Sequence, residues 1–257
     1  MLGDTVETIE VRERRLREPI SPAMLRRRLA GRRLLAIGRR AKYLLLHFEG
    51  ESTLVVHLGM SGRLTLAPAA APREPHEHAA FGLASGRKLR FRDPRRFGAL
   101  FALDTAALES DRHFARLGLE PLEPGFGGAA LAAAAANRSC AVKGMLMDAA
   151  VVVGVGNIYA SEALHRAGIH PQRSVARISR ERWDRLARAV VDVLGAAVEQ
   201  GGTTLNDFAD ALGESGYFQV SLEVYDREGK PCRRCGATIR RSTQLGRSTY
   251  YCPRCQK

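Results

Sequence analysis

The 257-residue sequence predicts an α+β multidomain protein in which three parts follow one another along the chain. Residues 1–110 hold short β-type runs separated by glycine and serine. Residues 111–222 show apolar residues at helical spacing, and residues 223–257 hold four cysteines. We therefore expect an antiparallel sandwich or barrel, a helical domain and a small metal-binding hairpin.

The strand predictions rest on short apolar or alternating segments. They cover residues 43–48, 53–58, 63–66 and 88–92. Residues 67–78 are rich in proline and alanine, which predicts a loop between two of these strands. Spacing of this kind is typical of an antiparallel sheet protein.

The helix predictions follow from periodicity and end signals. Residues 128–149 have a helical composition, and a second helix over 158–167 would have Asn157 as its N-cap and Gly168 at its end. A longer helix after Ser179 would bury one face. The residues of that face are Trp183, Leu186, Val190, Leu194 and Val198. Residues 204–207 resemble a capping box and predict a further short helix.

The charge of the chain indicates a polyanionic partner. The 40 basic residues exceed the 27 acidic ones by 13, and 35 of the 40 are arginine. Arginine binds phosphates and base edges through two parallel hydrogen bonds, which favours nucleic acid, although an arginine-rich surface without a partner stays an alternative. The sequence predicts no membrane span and no secretory signal, and hence a cytoplasmic location.

The cysteine spacing predicts a structural zinc site. Cys232 and Cys235 form one C-x-x-C pair, and Cys252 and Cys255 form a second after sixteen intervening residues. Four thiolates leave no open position for catalysis on the metal. The arginines and tyrosines between the pairs favour a hairpin that contacts DNA, with a ribbon that contacts only its own protein as the alternative.

Three further segments carry candidate chemistry, each with a simpler structural interpretation. Gly154-Val155-Gly156-Asn157 would clamp a phosphate or form a tight turn, and it lacks the spacing of a dinucleotide site, so no nucleotide cofactor is expected. Lys42 at the start of an apolar strand would act as a nucleophile or acid–base group, or extend into water. Met60 and Phe97 lie in glycine-rich turns, where they would unstack a base pair or pack in the core.

Taken together, these segments resemble the bacterial formamidopyrimidine-DNA glycosylases of the Fpg/Nei superfamily. The matching segments occur in the family's order from about Gly3 to Lys257. They are RRAKYLLLHF, HLGMSGRL, DPRRFGAL, KGMLMD, VVVGVGNIYASEAL, AGIHP, EQGGTTLNDF, GYF, VYDREGKPC and the four cysteines. The resemblance implies an N-terminal β-sandwich (1–110), a helix–two-turns–helix DNA-binding domain (111–222) and a C-terminal zinc-finger β-hairpin (223–257).

The resemblance also implies a function and a set of site residues. Members of the family excise oxidised purines (8-oxoguanine, formamidopyrimidines) from double-stranded DNA and cleave the strand by β,δ-elimination. Lys42 would donate a proton near the lesion, and Arg247 would grip phosphate during δ-elimination. Met60, Arg95 and Phe97 would fill the vacated stack, while His76, Arg95, Arg138, Lys143 and Asn157 would bind DNA. Gly213, Glu214, Ser215, Gly216 and Tyr217 would form the loop over the flipped base. We expect a monomer with one structural Zn²⁺.

The start of the sequence departs from the family's pattern. The family begins Met-Pro-Glu, and the amine of that proline attacks the sugar C1′ to form a Schiff base, whereas this sequence opens Met1-Leu2-Gly3-Asp4. The sequence as given therefore lacks the nucleophile, the glutamate and the first helix of the family pattern. We expect either a complete glycosylase with a mis-assigned start or a catalytically impaired paralogue that binds damaged DNA. A zinc-ribbon protein with a structural role on RNA is a third hypothesis.

Overall fold

The computed structural model describes residues 1–200 and 222–257, which belong to two compact units. The first unit contains Met1–Ala115, and the second contains Arg116–Gln200 together with residues 222–257. The lesion-loop residues 213–217 and the helix predicted at 204–207 lie outside the described residues.

The first unit is a β-sandwich of two antiparallel four-stranded sheets, as the sequence resemblance implied. One sheet has the strand order β1-β6-β7-β5, and the other has the order β2-β3-β4-β8. The strands are β1 (Val6–Val11), β2 (Leu34–Arg40), β3 (Tyr43–Phe48), β4 (Ser52–His57), β5 (Arg63–Pro68), β6 (Glu77–Leu83), β7 (Arg87–Arg92) and β8 (Ala99–Asp104). The loop predicted at 67–78 is shorter, because β5 continues to Pro68 and β6 begins at Glu77.

The sandwich core explains why these segments form strands. Alternate residues of both sheets point inward, so that Leu46, Leu54, Phe81, Phe91 and Leu100 are almost completely buried against one another. A helix that the sequence analysis did not identify, α1 (Pro22–Leu29), adds Leu25 and Leu29 to the same core. Ser21 caps α1 by accepting a hydrogen bond from the Met24 N–H.

The described part of the second unit contains four α-helices with a separate apolar core. They are α2 (Gly128–Ala135), α3 (Val142–Leu146), α4 (Asn157–Ala167) and α5 (Arg180–Glu199). Helix α5 buries Trp183, Leu186, Val190 and Leu194 as predicted, and Gly168 ends α4 in the left-handed conformation. No helix among the described residues is long and apolar enough to cross a membrane.

Three local predictions for these helices were wrong. The single helix expected over 128–149 is divided into α2 and α3, because Asn137 takes a positive φ of 62° between them. Val198 is 68% exposed near the end of α5 rather than on its buried face. The N-cap of α4 is Gly156, and the Asn157 side chain is engaged in a different network described below.

The finger is a short antiparallel hairpin with a very small core. Strands β9 (Arg240–Gln244) and β10 (Arg247–Tyr251) pair over five residues. Its buried apolar cluster consists of Val224, Cys232, Ile239, Tyr250 and Cys252, so that two of the five members are predicted metal ligands. A core of this size cannot fold the segment without help, which fits the zinc prediction.

Candidate nucleic-acid interface and metal centre

Two turns of the sandwich lie in contact and expose large apolar side chains. The turn between β4 and β5 carries Met60, which is 60% exposed, and the turn between β7 and β8 carries Phe97, which is 46% exposed. Gly59 has a φ of +65°, and a Cβ at this position would lie 2.6 Å from the Phe97 carbonyl carbon. The turns approach this closely because residue 59 is glycine. Neither Met60 nor Phe97 is a core residue.

Arg95 lies in the same turn as Phe97, and His76 lies beside that turn. The Arg95 guanidinium lies 5.0 Å from the centre of the Phe97 ring, in a cation–π contact. His76 is exposed at the end of the β5–β6 loop with a φ of +63°, and its carbonyl oxygen accepts a hydrogen bond from the Asp93 N–H. The structure therefore brings four sequence-predicted DNA contacts, Met60, Arg95, Phe97 and His76, onto neighbouring turns of one unit.

His57 supports the Met60 turn and was not singled out from the sequence. Its Nδ1 accepts a hydrogen bond from the Gly59 N–H at 2.9 Å, and its ring lies 5.0 Å from that of Tyr43. Burial, helped by the nearby cations of Arg17 and Lys42, lowers the pKa of His57 to about 4. The imidazole is therefore neutral at physiological pH, as its acceptor role requires.

Lys42 lies in the turn between β2 and β3, next to the sandwich's apolar strands. It is exposed, and Ala41 before it has a φ of 54°, which closes the turn tightly. Its role as a proton donor stays a prediction.

In the second unit, Lys143 and Asn157 join the helices to the finger hairpin. The buried Lys143 Nζ donates to Asn157 Oδ1 at 2.6 Å, to Thr249 Oγ1 at 2.7 Å and to the Ser248 carbonyl at 3.3 Å. Asn157 Nδ2 also donates to the Ser248 carbonyl, at 2.9 Å. Burial and the neighbouring Arg247 lower the pKa of Lys143 to about 8. The network fixes the backbone next to Arg247, whose side chain is exposed.

Two other predicted residues of this unit lie at its surface. Arg138 is exposed and its Nη1 is 3.2 Å from a carboxylate oxygen of Asp148. Gly154 has a φ of +80° in the segment before α4, so the Gly154–Asn157 motif forms a turn into the helix. Phosphate binding by this turn stays a prediction.

A buried carboxylate forms a second connection to the finger. Glu162 on α4 accepts hydrogen bonds from the N–H groups of Glu223, Val224 and Tyr225, each at 2.8–2.9 Å. Burial raises the pKa of Glu162, and these three donors oppose the increase. The chain entering the finger is thereby held against α4.

The four predicted zinc ligands converge as a metal site requires. The four Sγ atoms of Cys232, Cys235, Cys252 and Cys255 all lie within 4.8 Å of one another. The Cys235–Cys252 and Cys232–Cys255 Sγ pairs are 3.5 and 3.9 Å apart, close to the edge of about 3.8 Å of a Zn–S₄ tetrahedron with bonds of about 2.3 Å. The residues fit one structural zinc ion.

His165 on α4 lies directly behind this site. Its Nε2 is 3.6 Å from Cys232 Sγ, and burial lowers the pKa of His165 to about 4. With its proton on Nε2, the neutral imidazole would donate to the Cys232 thiolate and orient it toward a bound zinc ion. The contact was not predicted, because 67 residues separate the two side chains in the chain.

A β-sandwich with exposed apolar turns, a helical domain and a four-cysteine finger define the class of multidomain zinc-finger proteins. Residues 1–100 match the family profile described as the formamidopyrimidine-DNA glycosylase N-terminal domain. Residues 117–209 match the H2TH domain of the same enzymes, and residues 229–257 match a zinc finger found in FPG and IleRS. The chain belongs to the formamidopyrimidine-DNA glycosylase family of DNA repair enzymes.

Relatives with full-length similarity support this assignment. The chain is 50% identical to the formamidopyrimidine-DNA glycosylase of Methylococcus capsulatus, with 99% of this chain and 93% of the relative covered. The Lactococcus lactis Fpg in complex with DNA containing an abasic site superposes with a TM-score of 0.91 at 30% identity, covering 100% of this chain and 94% of that one. The same L. lactis protein with Fapy-dG DNA gives a TM-score of 0.89 at 30% identity, covering 100% and 94%.

Proposed function

We propose that this protein excises oxidised purines from double-stranded DNA and then cleaves the strand by β,δ-elimination. The observation that carries the proposal is the pair of exposed apolar side chains, Met60 and Phe97, on adjoining turns beside Arg95. Exposing large apolar side chains to water is unfavourable. These two side chains would be buried again when they enter a base stack from which one base has been removed. The relatives in complex with abasic-site and Fapy-dG DNA support the same substrate class.

The proposed roles of the basic residues follow from their places in the two units. Arg95 and His76 bind the DNA backbone next to the inserted side chains. Arg138 and Asn157 bind it from the helical domain, and Lys143 acts there through the hairpin that it holds. Arg247, exposed at the start of β10, grips a phosphate of the strand that is cleaved. The protein acts as a monomer on DNA in the bacterial cytoplasm.

The proposed reaction forms one covalent bond to the protein and then breaks the strand. An amine bonds to the sugar C1′ as the glycosidic bond breaks, and the damaged base leaves with a proton. The C1′–O4′ bond then opens to give a Schiff base, after which loss of a C2′ proton eliminates the 3′ phosphate and loss of a C4′ proton eliminates the 5′ phosphate. Lys42 is the proposed proton donor to the leaving base. The identity of the attacking amine is itself a target of the experiment.

The test uses an end-labelled duplex with one 8-oxoguanine opposite cytosine, and a matched duplex with a normal guanine. We expect a one-nucleotide gap with phosphate at both ends from the lesion duplex only. The Arg247→Ala protein should stop after β-elimination. Arg185 is an exposed arginine on α5, and Arg185→Ala should leave the products unchanged. Borohydride reduction on abasic DNA, followed by peptide mapping, identifies the amine, and Lys42→Ala shows whether that residue is required.

The outcomes separate the proposal from its alternatives. Tight, lesion-selective binding without strand cleavage or trapping would mean that the chain reads damage and does not remove it. Equal affinity for structured RNA and lesion DNA would favour a structural role on RNA. Cleavage of an oxidised-pyrimidine duplex in preference to the 8-oxoguanine duplex would contradict the proposed substrate class.

A further inference from the structure

Asp93 begins the turn between β7 and β8, and its carboxylate is completely buried against the turn between β4 and β5. Its Oδ1 accepts a hydrogen bond from Ser61 Oγ at 2.6 Å, and its Oδ2 accepts one from the Gly98 N–H at 2.7 Å. Ser61 follows Met60 directly, and Gly98 follows Phe97 directly. A single carboxylate group therefore joins the backbone segments that carry the two apolar side chains.

The same network reaches Arg95 and His76. Ser61 Oγ accepts a hydrogen bond from the Arg95 N–H at 3.1 Å, so the serine hydroxyl relays between Arg95 and Asp93. The Asp93 N–H donates to the His76 carbonyl oxygen at 3.1 Å, and the Asp93 carbonyl lies 2.7 Å from Nε2 of the buried His78. All four predicted DNA contacts of this unit are thus within one or two hydrogen bonds of Asp93.

Hydrogen bonds to the buried carboxylate and close packing make this arrangement rigid. A buried carboxylate without donors is very costly, so the Ser61 hydroxyl and the Gly98 N–H are strongly held in their places. Steric contact adds to the constraint, because a Cβ on Gly98 would lie 2.7 Å from the His57 carbonyl oxygen and 3.0 Å from Asp93 Oδ2. Side chains that are already in place when DNA binds do not lose conformational freedom at that step.

We propose that Asp93 and Ser61 are positioning residues for lesion recognition. They touch no DNA themselves, and they hold Met60, Arg95 and Phe97 in the geometry that fills the vacated stack. The inference rests on the proposed function, because it assumes that the exposed side chains enter the DNA. Its consequence is that removing the Ser61 hydroxyl reduces the preference for damaged DNA while the general attraction to DNA persists.

The experiment measures this preference as the Kd for undamaged DNA divided by the Kd for the lesion duplex, so a lower ratio means a weaker preference for damage. The probes are a duplex with a tetrahydrofuran abasic-site analogue and the same duplex without it, with 2-aminopurine opposite the analogue to report insertion by fluorescence. We expect Ser61→Ala to lower the ratio about five- to tenfold, the effect of one hydrogen bond. The dependence of Kd on salt should not change, because no phosphate contact is lost.

A matched control and a rescue variant distinguish positioning from general destabilisation. Ser85→Ala removes the same type of hydrogen bond, from a serine hydroxyl to Asp4, in another turn of the sandwich, and should leave the ratio unchanged. Ser61→Thr keeps the hydroxyl and should recover most of the selectivity. If Ser61→Ala fails to fold, Asp93→Asn keeps the side-chain shape while removing the charge, and it then carries the test.

The decisive comparison is a mutant cycle in which Ser61→Ala is added to a variant that carries both Met60→Ala and Phe97→Ala. If Ser61 acts through these inserted side chains, the added substitution changes the ratio little further. Independent effects that multiply would overturn the positioning role, as would an unchanged ratio in Ser61→Ala when Phe97→Ala lowers it. An unchanged ratio in Phe97→Ala alone would instead refute the insertion on which the proposed function depends.

Discussion

Loss of a single cysteine should unfold the finger and abolish tight DNA binding, while the sandwich remains folded. The substitution is Cys252→Ser, which removes a completely buried ligand of the four-thiolate cluster. An equivalent perturbation is removal of the zinc from the wild-type protein with a strong chelator. Both leave the residues of the first unit unchanged.

The magnitude follows from the size of the finger core. Apart from cysteines, its buried members are Val224, Ile239 and Tyr250, which together contribute about 5–9 kcal/mol at about 1.5–3 kcal/mol per buried side chain. A core of three such side chains is too small to fold a segment of this length, so the finger needs another source of stability. A structural zinc site contributes about 10–16 kcal/mol, which is larger than the whole apolar contribution.

The assay combines native mass spectrometry with hydrogen exchange. Wild-type protein should carry one zinc ion, and peptides from 222–257 should be protected, whereas Cys252→Ser should lose both properties. Strands of the first unit should keep their protection. Cys140→Ser, an exposed cysteine outside the cluster, is the matched control and should retain zinc and affinity. Intact protection of 222–257 in metal-free Cys252→Ser would refute the argument that zinc folds the finger.

Three further predictions test the two units separately. Met60→Ala should weaken binding to abasic-site DNA about tenfold without changing the salt dependence, and an unchanged Kd would remove its assignment as an inserted side chain. Gly59→Ala should lower the free energy of unfolding by about 2 kcal/mol more than Gly86→Ala. Both glycines have a positive φ, but only at Gly59 would the new Cβ meet backbone atoms. Equal denaturation midpoints for the two variants would contradict the close contact between the turns. Between pH 8 and 10.5 the unfolded chain holds a proton on Lys143 that the folded protein has lost. The stability of the wild-type protein should therefore rise with pH relative to that of Lys143→Met, by about 3 kcal/mol at most. Parallel curves of stability against pH would refute the lowered pKa of Lys143.

The sequence predicted the elements whose determinants are local. Strands β3, β4, β5 and β7 follow from short apolar or alternating segments, and the left-handed Gly168 ends α4 at the predicted place. The zinc ligands were predicted because four thiolates at this spacing have few other uses in a chain of this kind. Periodicity failed at Val198 and across 128–149, where the end of a helix and a single positive φ decide the structure.

The supporting network of the site could not be predicted, since its contacts are between distant parts of the chain. Ser61 and Asp93 are 32 residues apart, and Lys143 and Thr249 are 106 apart. Asn157 shows the consequence, because its local pattern predicts a helix cap while its carboxamide binds Lys143 and the Ser248 carbonyl. The polar residues of the two glycine-rich turns, Ser61 and Asp93, were nevertheless a visible signal, since buried polar groups in turns usually hold those turns together.

The most direct test of the account is the identity of the base released from damaged DNA. The chain, with its zinc bound, is incubated in excess with a duplex that contains one 8-oxoguanine opposite cytosine, and free bases are identified by mass spectrometry. The account predicts free 8-oxoguanine from this duplex and no free guanine from the undamaged control. Selective binding of the 8-oxoguanine duplex without any released base would contradict it.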